Sequence, residues 1–170
     1  MLILKADKFR PEPTEQYTLC LRQLCGCTCF VWNFRLAETR SLLDLGQKLP
    51  SSFELKRKLI HWKKSPDIAS LFKAYTNNLQ QKFKDLHGAW KRYFDKILST
   101  RVPIFKKKSD NRDSIGFVNF EKYCQFERCC VKFPVGLSWV KCQQSQPIDG
   151  KIKNAMLSQS SGHWLYLFSG

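Results

Sequence analysis

The chain has 170 residues, of which 43% are hydrophobic, enough to build the core of one sizeable domain or two small ones. Its 29 Lys and Arg against 14 Asp and Glu leave a net charge of +15, which indicates a polyanionic partner, nucleic acid before an anionic membrane surface. No window approaches the roughly 18–20 apolar residues that span a bilayer, and MLILKADKFRPEP lacks the apolar core of a secretory signal, so we expect a cytoplasmic protein without a membrane partner.

The first predicted elements are a strand and two helices. Apolar and polar residues alternate in LILKADKF (residues 2–9), and Pro11 and Pro13 should stop this strand. Thr14 is placed to cap a helix that ends at Gly26, where a second helix should begin. Two helices joined at a glycine resemble a helix-turn-helix, although ordinary helical hairpins have the same pattern. The core stripe expected of the second helix is Cys27, Phe30, Val31 and Phe34.

Further helices are predicted up to about residue 100. Ser51 and Glu54 have the spacing of a capping box and start a third helix. A short helical turn is expected at residues 68–72, and Thr76 should cap the longest helix. The apolar stripe of that helix consists of Leu79, Phe83, Leu86, Trp90, Tyr93 and Ile97.

Beyond residue 100 the hydrophobic period changes from that of helices to that of strands. Five short alternating runs follow: SIGFVNF, FERCCVKF, SWVKCQ, IKNAMLS and HWLYLF. The predicted fold class is therefore α+β, a small antiparallel β-barrel of the oligonucleotide-binding type with an inserted α-helical recognition domain. Residues 1–10 would be the first strand, 11–100 the helical insert, and 101–170 the remaining strands.

The eight cysteines and three histidines give no catalytic or metal motif. A reducing cytosol keeps cysteines as thiols unless they bind metal, and neither Cys25-x-Cys27-x-Cys29 nor Cys129-Cys130 has the usual zinc spacing. Buried thiols are the favoured interpretation, and zinc held by two remote pairs stays the alternative. The histidines are far apart and no nucleophile or phosphate-loop motif is present, so we predict no active site.

Phosphate binding is better supported by the charge pattern. Residues 82–108 contain nine basic residues and two acidic ones. A solvated helix face normally mixes both signs, so this unmixed stripe favours a nucleic-acid footprint.

Several stretches together resemble one family. They are KFRPEPTEQ, GCTCFVWN (26–33), NNLQQKFKDLHGAWKRYF, PIFKKK (103–108) and LSWVKCQQSQPIDGKIKNAMLS, in that order. The chain resembles the N-terminal portion of TnpB, also called OrfB, the transposase-associated protein of small insertion sequences.

The resemblance implies a function and also a missing part. Family members are RNA-guided DNA endonucleases, in which a wedge barrel encloses a helical recognition domain and a RuvC-type nuclease domain follows. The acidic metal ligands and the zinc element of that last domain have no counterpart here, so we expect binding of guide-type RNA and target DNA without cleavage, no enzyme activity and no cofactor in this fragment. Two alternatives stay open, a decayed transposase remnant and a piece of a longer endonuclease.

The candidate nucleic-acid-binding residues fall into three groups. By family position, Thr76, Asn77, Gln80 and Asn119 would read the short motif that flanks the DNA target. Trp139 would stack on a base. The expected phosphate contacts are Lys5, Lys8, Arg10, Lys91, Arg92, Lys106, Lys107, Lys108, Lys141, Lys151 and Lys153.

Overall fold

The fold is known from a computed structural model, which describes residues 6–66, 75–95, 97–107, 114–134, 137–143, 148, 150–160 and 162–170. Lys5, Lys108 and the helical turn predicted at residues 68–72 lie outside these ranges. Four helices are described: α1 (Glu15–Asp44), α2 (Ser52–Lys64), α3 (Thr76–Phe94) and α4 (Phe120–Tyr123). Seven strands are described: β1 (Ala6–Pro11), β2 (Ser114–Val118), β3 (Gln125–Glu127), β4 (Cys130–Lys132), β5 (Val140–Gln143), β6 (Asn154–Ser160) and β7 (His163–Ser169).

The α+β class is confirmed, and the strands form one antiparallel sheet. Its order is β2-β6-β7-β1-β5-β4-β3, so the first strand of the chain lies at the centre of strands that come after residue 113. Within the described residues β2 and β3 are the two edges and do not pair with each other, so the sheet is open. The closed barrel predicted from the sequence is not confirmed, because its edges are not joined by a ladder of hydrogen bonds.

The chain divides into two compact units. The first comprises Met1–Cys25 and Ser109–Gly170, and the second comprises Gly26–Lys108.

The core of the first unit is built from the inward residues of the sheet. Along β1, Phe9 is buried while Lys8 and Arg10 are exposed, which is the alternation that a half-buried strand requires. The strand ends at Pro11, where the prolines were predicted to stop it, and Pro11 itself is its last residue, paired with Cys142. Phe9 packs on Phe168 with ring centroids 5.5 Å apart, and such pairs contribute beyond the area they bury.

The stretch FERCCVKF forms a hairpin rather than the single strand predicted. β3 and β4 are joined by Arg128 and Cys129, whose φ angles are 45° and 63°. Positive φ at both central residues is the geometry of a type I′ turn, which matches the twist of the flanking strands. Neither residue is the Gly, Asn or Asp that such turns prefer, and this hid the turn from sequence reasoning.

We expect Cys129→Gly to raise the free energy of unfolding by about 1 kcal/mol. Glycine adopts positive φ without the steric cost that a Cβ imposes, and the carbonyl of residue 129 still accepts from Cys142 N–H at 2.8 Å. Denaturant unfolding would measure the change. Cys130→Gly, one residue later in β4, is the control and should be destabilising; stabilisation by both changes would contradict the turn argument.

Helix α1 is continuous, although the sequence predicted a break at Gly26. The N-terminal cap is confirmed, since Thr14 Oγ1 accepts from Tyr17 N–H at 3.2 Å. The stripe predicted after Gly26 is wrong in phase: Phe30 and Phe34 are exposed, and of its members Val31 is buried. Because the helix does not restart, one stripe runs across the glycine, formed by Leu21, Leu24, Cys25, Thr28, Val31, Arg35, Leu36 and Thr39.

We expect Gly26→Ala to stabilise the protein by about 1 kcal/mol. Gly26 lies inside an exposed helix interior, where alanine is favoured over glycine by this amount, and a Cβ there meets no atom within 4 Å. Thermal unfolding followed by circular dichroism would measure the gain. A loss of stability would indicate that the chain needs the glycine for something other than this helix.

The second unit is a helical core formed by α1, α2 and α3. Leu36, Leu86 and Trp90 form a buried cluster, and Trp90 Nε1 donates to Thr39 Oγ1 at 3.0 Å. The predicted stripe of α3 is confirmed for Leu79, Phe83, Leu86 and Trp90. It is wrong for Tyr93 and Ile97: both are exposed, Ile97 at 89%, and α3 ends at Phe94.

Capping is as predicted in α2 and different in α3. The capping box is confirmed, with Ser51 N–H donating to Glu54 Oε2 at 2.7 Å and Glu54 N–H donating to Ser51 Oγ at 3.4 Å. Helix α3 has Tyr75 as its N-cap and begins at Thr76, so the prediction that Thr76 caps it is wrong by one residue. The longest described helix is α1, not α3.

A fully buried arginine lies in this core. The guanidinium of Arg35 is paired with Glu38 and lies 5.8 Å from the ring centre of Trp62 and 5.9 Å from that of Phe83. Burial lowers the pKa of Arg35, and the Glu38 carboxylate opposes that shift. Lys58 Nζ donates to the other carboxylate oxygen of Glu38 at 2.6 Å. Charge in this core is therefore compensated by an ion pair and by two aromatic faces.

Candidate nucleic-acid interface

The outer face of the sheet brings three predicted phosphate contacts together. Lys8 and Arg10 project from the exposed side of β1, and Lys141 projects from the exposed side of β5. The register pairs Arg10 with Gln143, which places these side chains on one face. Arg10 Nη2 also donates to His163 Nδ1 at 2.9 Å. This face therefore offers cationic groups on adjacent strands, the arrangement that contacts successive phosphates.

Trp139 lies immediately before β5 and has a basic neighbour that sequence reasoning missed. Its side chain is 42% exposed. Val131 pairs with Val140, so the next positions along the two strands are Lys132 and Trp139, and both are exposed. An exposed aromatic ring beside an ammonium group suits a stacked base and its phosphate. Recognising the hairpin in FERCCVKF would have placed Lys132 on this face.

Asn119 and Lys153 are also brought together. Asn119 is exposed at φ 55°, directly before α4, and the next backbone N–H, of Phe120, donates to the Lys153 carbonyl at 2.8 Å. Lys151 is exposed two residues earlier. Left-handed backbone is costly for most residues but well tolerated by asparagine, which explains why that residue type fits here.

Helix α3 separates its predicted residues into two groups. Thr76, Asn77 and Gln80 are half-buried in the first turns, and Asn77 Nδ2 donates to the Tyr75 hydroxyl at 3.0 Å. Lys91 and Arg92 are exposed in the last turn. Eleven residues separate Gln80 from Lys91, about 16 Å along a helix, so the two groups cannot contact the same nucleotide.

The basic segment Pro103–Lys107 is held along α1 through its backbone. Asn33 Nδ2 donates to the Lys106 carbonyl at 2.9 Å, and the Lys106 N–H donates to Asn33 Oδ1 at 2.8 Å. Trp32 Nε1 donates to the Ile104 carbonyl at 3.0 Å. Arg40 Nη2 donates to the Pro103 carbonyl at 2.6 Å. Two stretches that the sequence singled out separately, GCTCFVWN and PIFKKK, are therefore one structural unit.

The side chains of this segment combine cations with aromatic rings. Lys106 Nζ lies 4.9 Å from the ring centre of Trp32, and the Arg40 guanidinium lies 4.9 Å from that of Phe105. Lys107 is exposed, and Ile104 is 71% exposed. The segment thus presents apolar side chains followed by two lysines, while its own carbonyls at three positions are satisfied by α1.

Lys82, the first residue of the predicted basic stripe, has a different environment. It is only 7% exposed, and its Nζ lies 3.6 Å from Asp85 Oδ2. Burial lowers the pKa of Lys82, the charge of Lys106 lowers it further, and Asp85 opposes both. The stripe therefore does not present all of its cations to solvent.

None of the eight cysteines is assigned to a disulfide, and no group of three or more His, Cys, Asp or Glu within the described ranges could hold a metal ion. Burial raises the pKa of Cys124 and of Cys142 to about 12. Both thiols are consequently protonated at neutral pH. Among the described helices, none combines the length and apolarity needed to cross a membrane.

The N-terminal part of the chain matches a known domain family. Residues 1–48 match the profile of a helix-turn-helix domain, that of OrfB proteins from IS605 elements. The matched residues end at Gln47 and Lys48, just past α1, so in this structure the helical part of the domain is one continuous helix. The chain is thus related by sequence to nucleic-acid-binding proteins of insertion sequences.

Two curated relatives refine this class. The chain is 31% identical over 161 residues to InsQ of Escherichia coli strain K12, a protein named as an RNA-guided DNA endonuclease; the match covers 95% of this chain and 39% of InsQ. It is 28% identical over 113 residues to a protein of the same designation from Streptomyces pristinaespiralis, over 66% of this chain and 27% of that protein. The resemblance to TnpB (OrfB) is confirmed, and the chain spans about two fifths of the length of the first relative.

Proposed function

We propose that this chain binds guide-type RNA and target DNA, and that its 170 residues by themselves do not cleave nucleic acid. The observation that carries the proposal is the segment Pro103–Lys107. Its backbone is fixed on α1 by three side chains, and its lysines keep exposed surface. A cationic segment already held in place suits a polyanion, because little ordering remains to oppose binding.

The sheet supports the same proposal in the first unit. Lys8, Arg10 and Lys141 would contact phosphates, and Trp139 would stack on a base, with Lys132 added to the predicted set. Although open, the sheet would then serve as an oligonucleotide-binding surface of the kind predicted for residues 1–10 and 101–170. Lys151 and Lys153, close to Asn119, would extend this contact.

Amide and hydroxyl side chains would recognise the base sequence of the DNA through hydrogen bonds to base edges. Thr76, Asn77 and Gln80 are polar and half-buried, Asn119 is exposed, and amides can donate to and accept from the same base edge. Lys91 and Arg92, at the far end of α3, would position the nucleic acid through phosphates alone.

Binding without cleavage follows from the chemistry that a nuclease requires. Two-metal hydrolysis needs carboxylates that converge on divalent ions, and the resemblance assigns these to a RuvC-type domain that follows the strands. The match covers 39% of InsQ, so most of the length of that relative lies outside the compared part. Binding itself needs no cofactor, and the cytoplasm is the location proposed for it.

The test is to purify the chain at moderate salt, sequence the nucleic acid that accompanies it, and then add Mg²⁺ and labelled duplex DNA. We expect one discrete structured RNA, from the end of the flanking insertion sequence, and no cleavage products. Heterogeneous RNA that a salt wash removes would contradict guide binding and favour a decayed remnant. Cut DNA would contradict the second half of the proposal.

A further inference from the structure

Asn33 lies beside the basic segment, and its side-chain amide bonds the backbone of that segment. Both halves of its amide are used, as donor to the Lys106 carbonyl and as acceptor from the Lys106 N–H. We propose that Asn33 is a positioning residue for nucleic-acid binding, which fixes the backbone at Lys106 so that Lys106 and Lys107 meet phosphates at set places. This inference rests on the proposed function.

The geometry singles out an asparagine for this task. A side-chain amide carries one carbonyl acceptor and two N–H donors. It can therefore bond both the N–H and the C=O of one residue, as the backbone of a neighbouring antiparallel strand does. Alanine offers neither group, and aspartate offers acceptors alone. The distances of 2.8 and 2.9 Å are those of well-formed N–H···O bonds.

Two neighbouring side chains of α1 also fix the backbone of the basic segment. Trp32 and Arg40, one residue before and seven after Asn33, hold the Ile104 and Pro103 carbonyls. Asn33 makes the contact nearest to the lysines, since Lys107 follows its partner directly. Without it, the backbone that bears Lys106 and Lys107 would have to be ordered when nucleic acid binds, and that ordering weakens affinity.

The experiment compares Asn33→Ala in two backgrounds, the unchanged chain and a Lys106→Ala/Lys107→Ala variant. The probe is a fluorescein-labelled single-stranded RNA of mixed sequence, and anisotropy is followed across a range of salt concentrations. We expect Asn33→Ala to weaken binding about tenfold in the unchanged chain and to have little effect once the lysines are absent. Gln23→Ala removes an exposed amide from the same helix and is the matched control, expected to leave affinity unchanged.

A second variant covers the case in which Asn33→Ala does not fold. Trp32→Phe removes the indole N–H that holds the Ile104 carbonyl and keeps an aromatic ring beneath Lys106. It should weaken binding in the same direction, again with little effect once the lysines are absent. Equal losses in both backgrounds would overturn the inference, because they indicate a general structural effect, and so would unchanged affinity. If the unchanged chain shows no salt-dependent binding at all, the proposed function fails first.

Discussion

Changing Lys106, Lys107 and Lys108 together to glutamate is expected to weaken RNA binding about a hundredfold or more near physiological salt. Each substitution removes a phosphate contact and adds a charge that repels the backbone. The salt dependence should also flatten. Each lost contact with a single strand lowers the slope of log affinity against log salt concentration by about 0.7, so three contacts lower it by about 2. A filter-binding titration across salt measures both quantities.

A matched variant separates this segment from the charge of the whole protein. Arg22, Lys48 and Lys64 are exposed and outside the proposed contact set, and changing all three to glutamate alters the net charge by the same amount. That variant should lose much less affinity and keep most of its salt slope. If both variants lose the same amount, binding depends on total charge and the segment is not the site.

Replacing Trp90 with alanine is expected to lower the free energy of unfolding by about 3–5 kcal/mol, a large fraction of the stability of an ordinary domain. Trp90 is buried against Leu36 and Leu86, stacks on Phe94 with centroids 5.8 Å apart, and donates to Thr39. Its removal leaves a cavity and an unused acceptor in the middle of the second unit. Denaturant unfolding followed by far-ultraviolet circular dichroism measures the loss.

Two other substitutions divide this effect into its parts. Trp90→Phe keeps an aromatic ring and loses the indole N–H, so we expect a loss of about 1–2 kcal/mol. The Thr39 hydroxyl still donates to the Arg35 carbonyl at 2.9 Å, which limits that cost. Trp139→Ala removes an exposed tryptophan and should cost below about 1 kcal/mol. Equal effects at the two positions would contradict the burial of Trp90.

Local signals predicted much of the fold. The capping box at Ser51 and Glu54, the cap at Thr14 and the buried part of the α3 stripe depend on residues a few positions apart, which a sequence displays directly. The break at Gly26 was predicted wrongly, because one glycine costs a helix only about 1 kcal/mol. Buried residues on both sides of the glycine, such as Leu24 and Val31, outweigh that cost.

The candidate site was predicted as residues but not as an arrangement. The basic segment and the Trp32-Asn33 pair were each noticed, yet 73 residues separate Asn33 from Lys106, and nothing local indicates that they touch. The burial of Lys82 was invisible for the same reason, since it depends on what packs over α3. Lys132 was missed because the turn at Arg128 and Cys129 contains none of the Gly, Asn or Asp residues that usually indicate such a turn.

The way α1 holds the basic segment bears on how such a protein can diversify. Trp32, Asn33 and Arg40 bind peptide groups, which are the same whatever side chains the segment carries. Ile104 and Lys107 can therefore be replaced during evolution without shifting the path of the backbone. A new side chain at either position would be held in the same place. We expect substitutions to accumulate in the exposed side chains of the segment. The three residues that bond its backbone should be retained among relatives with different nucleic-acid partners.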